Sequence, residues 1–90
     1  MHITIRQLQV FESVARYLNY TRVAEELHLT QPAVSMQVRQ LEQSVEMPLF
    51  EQIGRKIYRT KAGEIMLGYA LTIQERLALA KRDNGRAQGD

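Results

Sequence analysis

The chain is short and mildly basic: it has 90 residues, a formal net charge of +2 and a hydrophobic fraction of 44%. A chain of this length forms one small domain, or one domain with an extension. Because it has no cysteine, a disulfide framework and a thiolate zinc site are excluded. The two histidines, His2 and His28, are far apart and have no carboxylate cluster beside them, so no metal site is expected.

Membrane insertion, export and catalysis are not expected either. No apolar run approaches the roughly 20 residues that a membrane-spanning helix needs. The N-terminus lacks the charged region and apolar stretch of a signal peptide. No glycine-rich phosphate loop, metal-ligand set or nucleophile–base constellation supports an enzyme. We therefore expect a soluble, cytoplasmic protein without catalytic activity.

The first predicted helix covers residues 5–18, with Thr4 as its N-cap. Apolar residues recur there at spacings of three and four, which is typical of an amphipathic helix. The predicted buried side comprises Ile5, Leu8, Phe11, Val14, Ala15 and Leu18. The predicted solvent side comprises Arg6, Gln9, Glu12, Ser13 and Arg16.

A second and a third helix follow, separated by a tight turn. Thr21 is the predicted N-cap of the second helix, and His28 lies in the turn, where a positive φ is tolerated. The third helix, about residues 31–46, starts after Thr30 and carries Pro32 in its first turn. Its predicted buried seam consists of Val34, Val38, Leu41 and Val45. Its opposite side carries Pro32, Met36, Arg39, Gln40 and Gln43, flanked by Ala33 and Ser35.

A basic β-hairpin and a long helix are predicted next. Two short segments, residues 49–53 and 57–60, flank the turn Gly54-Arg55-Lys56. Thr60 can cap a helix over residues 62–82. One side of this helix carries Ala62, Met66, Tyr69, Ile73, Leu77 and Ala80, more apolar surface than a small body can cover. The excess indicates a second copy of the chain as the partner. Residues 83–90 are predicted to be disordered, as a linker or the artificial end of a fragment.

These elements predict a mostly α fold: a winged helix-turn-helix over residues 1–60, a linker and dimerisation helix over 61–82, and the tail over 83–90. Such a third helix fits the DNA major groove, and a basic hairpin can reach the minor groove. Each feature alone has an ordinary explanation: Ser35 as a surface hydroxyl, Arg39 as a partner of Glu42 or Gln43, and Arg55 as a solvated turn residue. Their occurrence on one predicted surface favours DNA binding.

Three segments of the sequence resemble the N-terminal domain of LysR-type transcriptional regulators. They are RQLQVF (residues 6–11), YTRVAEELHLTQPAVSMQVRQLE (20–42) and PLFEQIGRKIYRTKAGE (48–64). Within the family, the chain is most similar to regulators of carbon-dioxide-fixation operons in autotrophic bacteria. The resemblance implies promoter DNA as partner, an interrupted palindrome as site, and dimerisation through the linker helix.

The resemblance also carries implications for the full-length protein. It implies a C-terminal domain that binds a small-molecule effector, which lies outside this chain, and no cofactor within the chain itself. It implies tetramers at full length, RNA polymerase as a further candidate partner, a place at the bacterial nucleoid, and no membrane association.

Family positions can be carried over to individual residues. Base-proximal positions fall on Gln31, Pro32, Ala33, Ser35 and Met36, and phosphate contacts fall on Thr21, Thr30 and Arg39, with Arg55 in the wing. Lys56, next to Arg55 at the basic tip of the hairpin, is a further candidate for DNA binding. The dimer interface would use Met66, Tyr69, Ile73, Leu77 and Ala80. Two positions depart from the pattern: Met36 stands where many members have Arg or Lys, and Gln52 stands where an Arg is common.

Two other functions are compatible with the sequence. A winged helix can serve as a protein-interaction module without specific DNA readout, and this alternative predicts an apolar outer face on the third helix. A fragment of an enzyme would need a further domain to supply all the chemistry. The polar outer face of the third helix favours sequence-specific binding of double-stranded DNA.

Overall fold

The computed structural model describes residues 2–89, within which four helices and two strands follow one another. In chain order they are α1 (Ile5–Tyr17), α2 (Tyr20–Leu27), α3 (Gln31–Val45), β1 (Phe50–Ile53), β2 (Lys56–Arg59) and α4 (Lys61–Gly89). This order confirms the predicted winged helix-turn-helix with a long C-terminal helix.

Helix α1 starts with a reciprocal cap and lies at the centre of the fold. The Thr4 hydroxyl accepts from the Gln7 N–H at 3.0 Å, and the Gln7 side chain accepts from the Thr4 N–H at 3.2 Å. The predicted N-cap is therefore confirmed. The predicted solvent side is wrong at two positions, because Glu12 and Ser13 are only 7% and 8% exposed. Helices α2, α3 and α4 all contact α1 and cover more than one of its sides.

The buried side of α1 also differs from the prediction at its first turn. Ile5, predicted to be buried, is 45% exposed because it lies beyond the edge of the core. Val10, which was assigned to neither side of the predicted helix, is fully buried.

The beginning of α2 differs from the prediction, whereas its end agrees with it. Asn19, rather than Thr21, is the N-cap, and its side chain accepts from the Arg22 N–H at 3.0 Å. Thr21 thus lies inside the first turn, with its hydroxyl available to another helix. His28 ends the helix in the left-handed region with φ 55°, which confirms the predicted turn.

Helix α3 begins and ends close to the predicted positions. The Thr30 hydroxyl accepts from the Ala33 N–H at 3.2 Å, and Pro32 lies in the first turn. The last helical residue is Val45, and the C-cap Glu46 adopts φ 58°. Val34, Val38 and Leu41 are at most 2% exposed and form the part of the core that α3 contributes. The predicted buried seam is therefore confirmed, with Val45 half-buried at its end.

The two strands form an antiparallel hairpin, here called the wing, with Phe50 paired to Arg59 and Ile53 paired to Lys56. Gly54 has φ 63° in the turn, which favours glycine. Phe50 joins the wing to the core, because its ring lies 5.5 Å from that of Phe11, centroid to centroid.

Helix α4 is longer than predicted. It continues through residues 83–89, which were predicted to be disordered, and Asp90 lies outside the described residues. Extending an existing helix needs no new nucleus, and this segment contains no proline. An ion pair between Arg82 and Asp83, 3.8 Å apart, lies where the helix was expected to end. None of the helices in residues 2–89 is long and apolar enough to cross a membrane.

Candidate nucleic-acid interface

The outer face of α3 is polar and open to solvent. Pro32, Arg39, Gln40 and Gln43 are exposed, and the side chain of Met36 is 58% exposed. Ala33 and Ser35 are half-buried along the same face. Because the opposite side of the helix is fixed in the core, these side chains have a defined orientation relative to the rest of the domain.

The first turn of α3 is connected to the first turn of α2 by a side-chain hydrogen bond. Gln31 Nε2 donates to Thr21 Oγ1 at 2.7 Å, and both residues are exposed. Thr21 and Gln31 were both predicted as contact residues, and the structure brings them together. The cap residue Thr30 lies immediately before this turn.

The wing and the starts of α2 and α3 enclose one shallow cleft of about 280 Å³. Thr21 and Gln31 line one side, and Gln52 and Arg55 line the other. Gln52 Nε2 donates to the Gly54 carbonyl at 3.2 Å and so stabilises the turn of the wing. Arg55 lies in the turn and is exposed. Lys56, the first residue of β2, is also exposed.

Tyr20, at the start of α2, lies close enough to two charged side chains of α3 to be influenced by their charges. Burial raises the pKa of the Tyr20 hydroxyl, the nearby Glu42 carboxylate raises it further, and the Arg39 guanidinium partly opposes both effects. Tyr20 is therefore a neutral phenol at pH 7. On the other side, Gln7 Nε2 donates to Gln40 Oε1 at 3.3 Å, which connects α1 to the outer face of α3.

Two side chains that fix the wing were not singled out from the sequence. Glu42 Oε2 accepts from the backbone N–H groups of Leu49 and Phe50, at 2.7 and 3.4 Å, and holds the start of the wing against α3. Arg59 Nη1 donates to the Ala15 carbonyl at 2.5 Å, near the end of α1. The Arg59–Ala15 contact joins residues 44 positions apart, and the Glu42 contacts connect α3 to the wing across the intervening loop, so helical spacing contains no sign of either.

The residues predicted for the dimer interface divide into two groups. Met66 is half-buried and packs against the core of its own chain. Tyr69, Ile73 and Leu77 are 65%, 38% and 43% exposed, and Ala80 is exposed further along the helix. Tyr69 and Met66 also line an apolar cleft of about 310 Å³, together with Val45 at the end of α3 and residues of the loop after α3.

Among residues 2–89, no three histidine or acidic side chains lie close enough together to hold a metal ion.

The helix order, the polar outer face of α3 and the wing define a winged helix-turn-helix domain. Residues 5–64 match the family described as "Bacterial regulatory helix-turn-helix protein, lysR family", and the chain belongs to this family. The predicted resemblance is thereby confirmed.

Relatives and solved structures agree with the family assignment. The chain is 54% identical over 77 residues to a "RuBisCO operon transcriptional regulator" of Allochromatium vinosum, covering 86% of this chain and 26% of that protein. It is 49% identical over 88 residues to a protein of the same name from Acidithiobacillus ferrooxidans, covering 98% and 28%. The chain thus spans only about a quarter of the length of these curated relatives.

A solved structure covers nearly the whole of this domain. It is the "CbnR_DBD-DNA complex", which is 36% identical with a TM-score of 0.84 and covers 97% of this chain and 99% of that one.

Proposed function

We propose that this chain is a sequence-specific DNA-binding domain that acts as a dimer on promoter DNA. In this proposal α3 lies in the major groove and the wing lies at the minor groove. The observation that carries it is the outer face of α3, which is polar and exposed while its opposite side is fully buried. An apolar outer face, as a protein-interaction module would need, is not what this helix presents.

The major-groove contacts follow from the position of each residue along α3. A helix of this kind enters the groove with its N-terminal residues nearest the bases. Gln31, Pro32 and Ala33 are in the first turn, and Ser35 and Met36 are in the next. The Met36 side chain can contact a thymine methyl group, since it is apolar and 58% exposed.

The backbone contacts are proposed for residues around this helix. Arg39, Thr21 and Thr30 lie beside the base-proximal residues and can donate to phosphate oxygens. Arg55 and Lys56 present their charges from the wing, where a narrow minor groove attracts arginine. The cleft that Arg55 shares with Thr21 and Gln31 supports a continuous contact surface from α2 to the wing.

Dimerisation is proposed through α4. The molecule measures 55 × 26 × 20 Å, so the helix extends well beyond the body of the domain. Tyr69, Ile73 and Leu77 are exposed on one side of it, next to the half-buried Met66, with Ala80 further along. Pairing with the same helix of a second copy covers this surface and generates the two-fold symmetry that an interrupted palindrome requires.

The relatives suggest which genes are controlled. Two of them are named as regulators of the RuBisCO operon, so we propose control of carbon-fixation genes at the nucleoid in the cytoplasm. In the full-length protein we propose an effector-binding domain after α4, assembly as a tetramer, and RNA polymerase as a partner.

Selection of bound duplexes from a random pool tests the proposal directly. We expect enrichment of two half-sites in inverted orientation, with centres separated by one or more helical turns of roughly 10 base pairs. Ser35→Ala should weaken binding to the selected site by about 1 kcal/mol or more. A pool without enrichment, or binding of equal strength to every duplex, would refute the proposal.

A further inference from the structure

Met36 places a sulfur atom on the outer face of α3. It is 58% exposed, whereas Met47, which is 57% exposed, lies in the loop beyond the end of α3, and Met66 is half-buried. The chain has no cysteine, so all of its sulfur belongs to methionine. We propose that Met36 is a reversible oxidation site, at which a hydroperoxide forms methionine sulfoxide and thereby weakens DNA binding. This role rests on the proposed DNA binding and adds a modification that regulates it.

The reaction needs only an accessible thioether and the hydroperoxide. A sulfur lone pair attacks the terminal peroxide oxygen, the O–O bond breaks, and a sulfur–oxygen bond forms. The other oxygen takes up the proton of the attacked hydroxyl and leaves as water, or as an alcohol when an alkyl hydroperoxide reacts. Sulfur loses two electrons and the peroxide gains two, so no further reactant is required. The product is methionine sulfoxide, a polar and chiral side chain.

The side chains one turn away determine what this sulfoxide meets. Residues three and four positions apart are neighbours on a helix, so Met36 lies beside Pro32 and Ala33 in one direction and beside Arg39 and Gln40 in the other. A thioether sulfur is a weak acceptor, whereas a sulfoxide oxygen is a strong one. Arg39 is exposed and has no carboxylate within ion-pair distance among residues 2–89. Its guanidinium can therefore donate to the sulfoxide oxygen.

This change weakens two of the proposed contacts with DNA. The unmodified Met36 side chain can pack on a thymine methyl group, and a polar oxygen buried there costs free energy unless it meets a donor. A guanidinium of Arg39 that donates to the sulfoxide is drawn away from its proposed phosphate. Because a sulfoxide oxygen and a phosphate oxygen are both acceptors, they also repel each other. Oxidation therefore lowers the affinity for the site that the unmodified chain selects.

Bound DNA should protect the side chain from this reaction. In the proposed complex the major groove covers Met36, so only the unbound chain reacts. Met47 is almost equally exposed in the free chain but lies more than two helical turns further along. The selected duplex should therefore slow the oxidation of Met36 more than that of Met47. Mass spectrometry of the peptides after limited hydrogen peroxide treatment measures both rates in the same sample.

The central test compares DNA affinity before and after oxidation. The chain is treated with hydrogen peroxide, and fluorescence anisotropy at fixed salt gives its affinity for the selected duplex. Oxidation should weaken binding at least about fivefold, equivalent to roughly 1 kcal/mol. Methionine sulfoxide reductases A and B with dithiothreitol should restore the affinity, since each enzyme reduces one sulfoxide epimer.

Two variants assign the loss of affinity to one residue. Met36→Leu removes the sulfur at similar volume, so its affinity, whatever the starting value, should no longer change with peroxide. Met47→Leu is the matched control, because it retains Met36 and should remain as sensitive as the unchanged chain. Thermal unfolding of each oxidised chain separates the effect from damage at the half-buried Met66.

The outcomes separate this inference from the proposed function. If the unchanged chain selects a site and binds it equally tightly after Met36 has been oxidised, the inference is wrong. It is also wrong if Met36→Leu stays sensitive to peroxide or Met47→Leu loses the sensitivity, because another methionine then carries the effect. A loss of affinity that accompanies unfolding of the oxidised chain likewise refutes it. If the unoxidised chain discriminates between no duplexes, the proposed function itself fails.

Discussion

Helices α3 and α4 differ in how much of their apolar surface the same chain covers. In α3, Val34 and Leu41 are fully buried, and the surface left to solvent is mostly polar. In α4, Ala70 is fully buried, but Tyr69 and Leu77 remain 65% and 43% exposed. The position of α3 is thus determined within one molecule, whereas α4 leaves apolar surface for a second molecule.

The difference has a consequence for the kind of partner at each surface. A polar face with cations nearby suits a charged, hydrogen-bonding ligand, and its affinity should depend strongly on salt. An exposed apolar helix suits a second apolar helix, and its association depends mainly on area removed from water. The two proposed interfaces can therefore be altered separately.

The largest effect should come from the core that fixes α3 and the wing. Phe11 is fully buried against Phe50, so Phe11→Ala should lower the free energy of unfolding by roughly 3–5 kcal/mol. Urea unfolding followed by circular dichroism measures it. The matched control is Ile53→Ala, since Ile53 is 62% exposed, and its change should stay within about 0.5 kcal/mol. Equal effects of the two substitutions would contradict the assignment of the core.

The next effect should appear in dimerisation. Ile73 is 38% exposed on the side of α4 proposed to pair, and an aspartate there would place an unpaired charge in an apolar interface. We expect Ile73→Asp to raise the dimer dissociation constant at least about a hundredfold, equivalent to roughly 3 kcal/mol. Sedimentation equilibrium over a concentration series measures this change.

Leu71 provides the control for that substitution. It is 48% exposed, two residues away from Ile73, and therefore about 200° around the helix. Leu71→Asp should leave dimerisation unchanged. If both substitutions, or neither, dissociate the dimer, the paired side of α4 has been assigned wrongly.

A smaller effect is expected where α4 joins the body. A Cβ at Gly63 would overlap the Leu49 carbonyl oxygen, so Gly63→Ala requires the backbone to move apart and should cost about 1–3 kcal/mol. Gly68 has no such neighbour within 4 Å, and Gly68→Ala should stabilise the helix by roughly 0.5–1 kcal/mol. Thermal melts of the two variants should shift in opposite directions.

Local sequence chemistry was sufficient to predict the ends of several elements. Thr30 and Pro32 marked the start of α3, and Gly54 marked the turn of the wing, because caps and turns depend on neighbouring residues. The spacing of Val34 and Leu41 predicted the buried side of α3 correctly, because the core covers α3 on that side only.

Contacts between distant residues could not be predicted in this way. Glu12 is buried because several helices surround α1, which periodicity within α1 does not reveal. The Thr21 hydroxyl, expected to cap its own helix, instead accepts from Gln31 on the next one. Composition alone did not reveal that residues 83–89 continue α4.

The smallest effects should distinguish two arginines of the wing, one directed outward and one toward its own chain. Arg55 is exposed at the turn, whereas Arg59 is half-buried and donates to the Ala15 carbonyl. Arg55→Ala should reduce the salt dependence of DNA binding by about one ion and leave unfolding unchanged. Arg59→Ala should lower the free energy of unfolding by about 1 kcal/mol.

Each arginine serves as the control for the other, because both substitutions remove one positive charge from the same hairpin. Anisotropy titrations at several salt concentrations give the slope of log affinity against log salt, and urea unfolding gives stability. If Arg59→Ala changed the salt slope as much as Arg55→Ala, charge anywhere in the wing would suffice. Arg55 would then have no special position at the minor groove, and the proposed DNA-contact surface would have to include β2.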